Sequence, residues 1–218
     1  MADAQYSIPP ESPEAGDAAD LPQAAARKRP KPGERRVQIL QTLAGMLEQP
    51  GAERVTTAAL AARLEVSEAA LYRHFASKAQ MFEGLIEFIE QTVFTLINQI
   101  AEREPAGSAQ AARTVGMLLQ FAEKNPGMTR VMVGDALVFE NDRLQQRMNQ
   151  FFDKIESSLK QSLRTAADGD GSATPSLDAQ VRASMLTAFV VGRLQRFSRS
   201  GFRRAPSEHL EASLARML

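Results

Sequence analysis

An all-α fold is what this sequence of 218 residues predicts. Apolar residues recur at helical spacing in nine successive segments, prolines fall between those segments, and no stretch reads convincingly as a strand. With 44% hydrophobic and 24% charged residues, the composition is that of a soluble globular protein able to bury a core.

Six of the eleven prolines lie in residues 9–32, in a stretch rich in Ala, Glu and Asp. With few large apolar residues this stretch cannot offset its ordering entropy, so residues 1–33 are expected to be a disordered extension ending in a basic arm, Arg27 to Lys31. The first helix is expected over about 34–49, with Val37, Leu40, Leu43, Ala44 and Leu47 on one stripe. Thr56 is placed to cap a short helix over 57–64, and Ser67 a second one reaching His74, with Leu71 and Phe75 inward. Ser77-Lys-Ala-Gln80 fits a capping box and opens a long helix to about Glu102. Further helices are expected at about 109–123, 127–138, 141–166, 177–199 and 207–217, with Asp168 to Ser172 as a plain loop.

Composition removes several classes of function. Cysteine is absent, which excludes disulfides, cysteine–zinc sites, iron–sulfur clusters and thiol nucleophiles. The two histidines, His74 and His209, cannot build a multi-histidine metal site within one subunit. No glycine-rich phosphate loop or nucleophile–base pair stands out, so no cofactor and no enzymatic activity are expected. Asp135, Glu140 and Asp142 read as acids solvating helix ends. No apolar run approaches the ~18 residues of a membrane span, and the N-terminus lacks a signal-peptide pattern. A cytoplasmic protein is expected.

The formal charge of zero hides an asymmetry. Residues 1–26 carry five acids and no base, whereas residues 27–78 carry ten bases against five acids. A basic block of that kind points to a polyanion. The block coincides with three helices spanning 34–78, the last two joined by the tight turn Leu64 to Ser67. That is the helix-turn-helix arrangement, whose second helix enters the major groove with its N-terminal residues nearest the bases. Leu71 and Phe75 hold this helix on the core, leaving Ala69, Tyr72 and Arg73 outward. Tyrosine and imidazole groups can donate to phosphates, and alanine can touch a thymine methyl. Thr56 and Lys78 stand at helix starts where a phosphate can sit.

The runs Thr56 to Leu64, Val66 to Phe75 and Ser77-Lys78 resemble the DNA-binding domain of TetR-type regulators. Leu85 to Glu90, Asn125 to Arg130 and Ala136 to Gln145 are similar to the nucleoid-occlusion branch of that family, and the likeness covers roughly residues 34–204. The resemblance implies a helix-turn-helix domain at 34–78 and a dimerisation and partner-binding domain at 79–218, about nine helices in all. It further implies a nucleoid-associated homodimer on a palindromic DNA site that binds the C-terminal tail of the division GTPase FtsZ. By motif, the DNA side falls on Thr56, Ser67, Ala69, Tyr72, Arg73, His74 and Lys78, and the FtsZ side near Phe88, Lys124 and Asn125. Two departures stand out: Glu65 occupies a turn position usually given to glycine, and Leu96 a position expected to be basic.

The alternative is a ligand-responsive repressor of the wider family. Its pocket would be lined by Phe82, Phe88, Phe94, Met117, Leu118, Phe121, Met132 and Phe189. A dimer is expected through 177–199 and 207–217, on stripes Val181, Met185, Phe189, Leu194 and Leu210, Leu214, Met217.

Overall fold

A computed structural model describes residues 33–49, 54–169 and 171–218; apart from Gly33, the expected extension lies outside the described residues. Every regular element among the described residues is helical. These are α1 (Glu34–Leu47), α2 (Thr57–Arg63), α3 (Glu68–Tyr72), α4 (Lys78–Arg103), α5 (Gly107–Lys124), α6 (Pro126–Met132), a 3-10 turn (Asp135–Leu137), α7 (Asp142–Gly169), α8 (Pro175–Arg199) and α9 (Leu210–Met217).

The core is one apolar cluster running from the α1–α3 head into the α4–α8 bundle. Ile39, Leu43 and Leu47 of α1 share this cluster with Leu60 of α2, Leu71 of α3 and Phe75 just beyond it. Val93, Leu118, Phe151, Leu159, Leu186 and Val190 fill the bundle. Two glycines let backbones touch where a side chain could not fit. A Cβ at Gly107 would strike the carbonyl of Ser162 in α7, and one at Gly127 that of Ala44 in α1. Ion pairs fasten α7 to α4: Arg143 to Glu83 at 2.5 Å and Arg147 to Glu90 at 2.6 Å. Hydrogen bonding to Glu90 raises the pKa of the Arg147 guanidinium above its ordinary value.

Several expected boundaries move, each for a local reason. The helix expected over 127–138 breaks after Met132, because Gly134 turns left-handed at φ 84° and its N–H closes onto Val131. The chain then continues as the 3-10 turn. α7 runs on to Gly169, shortening the expected 168–172 loop, and Gly171 takes the left-handed turn at φ 72°. α9 starts at Leu210 rather than 207, since Ser207 donates to Glu123 of α5 at 2.7 Å and His209 is left-handed at φ 55°. On α1 the buried stripe is Ile39, Leu43, Ala44 and Leu47, and Val37 faces solvent. On α8, Leu194 is buried in the core, so it is not available to the expected dimer stripe.

The aromatic and methionine residues proposed to line a ligand pocket do not converge. Phe82, Leu118, Phe121 and Met132 are packed in the core, Phe94 stacks edge-on against Phe151 at 5.7 Å, and Phe88 stands exposed on α4. Phe189 belongs to a separate surface groove beside α8.

Candidate nucleic-acid interface

The head is assembled from three hydroxyl-capped helix starts. Thr56 Oγ1 accepts from the Ala59 amide at 3.2 Å, Ser67 Oγ from Ala70 at 3.3 Å, and Ser77 Oγ from Gln80 at 3.2 Å. Gln80 Oε1 reaches back to accept from the Ala76 amide at 2.8 Å. That is one residue before the cap, where a standard box would close on the cap itself. Each hydroxyl satisfies one of the four amides that a helix start leaves over.

The turn between α2 and α3 closes α2 by a Schellman motif, with Val66 N–H on Ala61 and Glu65 N–H on Ala62. Glu65 takes the left-handed conformation, φ 55°, which costs a non-glycine residue about 1 kcal/mol. Thr57 Oγ1 donates to Glu68 at 2.6 Å and ties the two helices across the turn. Leu71 and Phe75 are buried, as the spacing requires. Ser67, Ala69, Tyr72, Arg73 and His74 therefore share the exposed side of α3 and its C-terminal turn, and Thr56 is exposed at the start of α2.

Lys78 behaves differently. Its ammonium is ion-paired with Glu140, which lies between the 3-10 turn and α7. Glu140 and Asp135 thus do more than solvate helix ends: Asp135 accepts from the buried Ser198 of α8 at 2.6 Å.

Arg36 is a residue that sequence reasoning counted only as part of the basic block. Its guanidinium lies along the head, donating to the carbonyl of His74 at 2.5 Å and standing 4.1 Å over the Phe75 ring. A five-residue helix cannot hold itself together, and Arg36 braces its C-terminal end from α1. Arg36→Ala should weaken specific DNA binding several-fold while leaving the salt slope unchanged. Titrations at several salt concentrations decide this: a slope reduced by about one per subunit would make Arg36 a phosphate ligand instead.

Farther along the chain, Phe88 of α4 is 47% exposed. α4 and α5 are joined by the short corner 104–106 and pack antiparallel, so Lys124 at the end of α5 lies toward the half of α4 that carries Phe88. Lys124 is exposed, whereas the Asn125 amide donates to the Phe121 carbonyl at 2.7 Å and serves the helix end.

Comparison with known proteins bears on both surfaces. Residues 39–85 match the model for bacterial regulatory proteins of the tetR family. Residues 110–217 match that of a tetracyclin repressor-like C-terminal domain of the SlmA-like type. The chain is 52% identical over 178 residues to the nucleoid occlusion factor SlmA of Idiomarina loihiensis, covering 82% of this chain and 90% of that one. It is 50% identical over 190 residues to SlmA of Citrobacter koseri, covering 86% and 94%. Among solved structures it is similar to the fatty acid degradation regulator FadR of Bacillus halodurans, with TM-score 0.70, 12% identity and coverage of 85% and 95%. FadR of Bacillus subtilis in complex with stearoyl-CoA gives TM-score 0.67 at 13% identity, covering 83% and 96%. These two likenesses speak for the fold alone.

Proposed function

We propose that this chain, which belongs to the SlmA family of nucleoid occlusion factors within the tetR regulators, reads a palindromic chromosomal site as a two-fold dimer and engages the tail of FtsZ through its α4–α5 face. Its function is nucleoid occlusion, carried out by a DNA-binding regulator and not by an enzyme. The observation that carries the DNA side is the exposed row Ser67, Ala69, Tyr72, Arg73, His74, held on a buried Leu71–Phe75 underside. Ser67 and Ala69 sit at the helix start nearest the bases. Thr56, Tyr72 and His74 take phosphates, and Arg73 adds charge. Lys78 takes a phosphate at the start of α4.

The FtsZ side rests on Phe88 and Lys124. An exposed aromatic ring and an exposed cation on adjacent helices suit a short peptide with apolar and acidic residues, and Asn125 closes the end of α5 after Lys124. Among the described residues no helix is long and apolar enough to cross a membrane. Residence at the nucleoid follows from DNA binding.

Capture of an FtsZ tail peptide by the full chain, with and without duplex DNA, tests the assignment. Phe88→Asp should abolish capture and Lys124→Ala should weaken it about tenfold, the loss of one well-packed contact. Both should leave DNA affinity within twofold. Undiminished capture by both variants would remove the α4–α5 face from the proposal.

A further inference from the structure

Lys78 opens α4 immediately after the reading helix, yet its charge is already engaged. The ammonium is paired with Glu140, a residue 62 positions later, and stands 5.7 Å from the centroid of the Phe82 ring. The lysine side chain is 27% exposed and the carboxylate 10%. We propose that Glu140 is an internal competitor for DNA phosphate at Lys78, so that the free protein holds this contact closed.

The inference rests on the reading of Lys78 as a phosphate ligand. An ammonium carries one charge, and while it is neutralised by Glu140 it releases no counterion from DNA. A phosphate brought to the pair also meets the carboxylate. Lys78 becomes a full phosphate contact only when Glu140 withdraws, and the local structure gives Glu140 somewhere to go. The two preceding residues, Val138 and Phe139, are 70% and 67% exposed, so no apolar packing pins that side of the segment. On the other side, Arg143 to Glu83 keeps the start of α7 on α4 whichever way Glu140 points. A full contact therefore requires the 138–140 segment to leave the head, and in the wild-type protein Glu140 goes on competing for Lys78 in the DNA complex.

The test is a salt titration of binding to a short duplex of random sequence, because phosphate contacts are independent of sequence. Glu140→Gln keeps the shape of the side chain and removes its charge; Glu140→Ala removes the side chain. Both should bind more tightly than wild type, about tenfold per subunit at ~0.1 M salt. Both should also steepen the slope of log K against log salt by about one per subunit. Adding Lys78→Ala to either should abolish the gain, whereas Lys78→Ala alone should change the wild-type slope by well under one. Thermal unfolding of each variant confirms that folded protein is being compared.

An unchanged or weaker affinity in Glu140→Gln, or a gain that survives Lys78→Ala, overturns the competition. If Lys78→Ala alone lowers the slope by a full unit while Glu140→Gln does nothing, Lys78 is a phosphate ligand without a competitor. If Lys78→Ala has no effect in either background, the phosphate reading itself falls, and the competitor with it.

Discussion

Met185→Glu is expected to convert a dimer into a monomer at micromolar concentration and to remove specific DNA binding with it. Leu177, Val181 and Met185 lie four residues apart on α8 and are 61%, 51% and 50% exposed. The other side of the same helix, with Ala183, Leu186, Val190 and Leu194, is sunk in the bundle. An apolar row of this kind beside a buried one marks a helix with a second surface to cover. The row continues past Ala188 and Phe189 to Gly192, along a groove of about 550 Å³ that also takes in Arg193, Arg196 and Arg204. In a dimer formed through that face a second α8 would make an isologous contact, and every substitution would count twice. Losing burial of two half-exposed methionines costs roughly 2–3 kcal/mol, and two carboxylates trapped in an apolar contact add several more. The dimer should weaken by well over a hundredfold. Two reading heads a helical turn apart then no longer reinforce one another, so specific affinity collapses while weak nonspecific binding persists. Sedimentation at several concentrations checks the first half of this and operator titration the second; a Met185→Glu protein that stays dimeric would move the interface elsewhere.

The α9 stripe of Leu210, Leu214 and Met217 leans on the core of its own subunit and stays only partly buried, and Leu210 approaches within 3.6 Å of the place a Cβ on Gly116 would occupy. The sequence shows that the stripe must be covered but not by which chain. The same limit explains what else was legible. Hydroxyl caps at Thr56, Ser67 and Ser77 and the left-handed Glu65 are settled within about four residues of chain, and each is where the sequence places it. The burial of Leu71 and Phe75 follows from their spacing in the same way. By contrast, Arg36 meets His74 across 38 positions and Lys78 meets Glu140 across 62. Nothing local distinguishes these two from the other cations of the basic block. One position of the α1 stripe differs for a related reason: Val37 and Ile39 are equally apolar, and only the packing of α4 and α6 decides which turns inward.

Gly127→Ala should lower the melting temperature by about 2–12 °C, although the same exchange at an open helical position raises it. Glycine to alanine inside a helix normally gains up to ~1 kcal/mol. Gly45, on the exposed side of α1 with nothing within 4 Å of its would-be Cβ, supplies that control. Gly127 sits in the first turn of α6, where a Cβ would overlap the Ala44 carbonyl oxygen and lie 3.2 Å from Glu48 Cγ. The carbonyl cannot turn away, because Ala44 is flanked by Leu43 and Leu47 in the core. Nor can α6 slide: the buried Thr129 Oγ1 donates to the Ala122 carbonyl at 2.9 Å and fastens it to α5. The two helices must separate, at a cost of roughly 1–3 kcal/mol, and a chain of this size loses about 2–4 °C per kcal/mol. The damage should reach function as well. α1 carries Arg36, which braces the reading helix, and α6 follows directly on Lys124 and Asn125, so parting them misplaces the head relative to the partner face. Folded Gly127→Ala should accordingly bind operator DNA several-fold more weakly at 20 °C, whereas Gly45→Ala should match wild type and melt slightly higher. A Gly127→Ala protein that melts with Gly45→Ala would mean that α1 and α6 do not meet backbone to backbone, and the rigid link between the two surfaces would be lost with that contact.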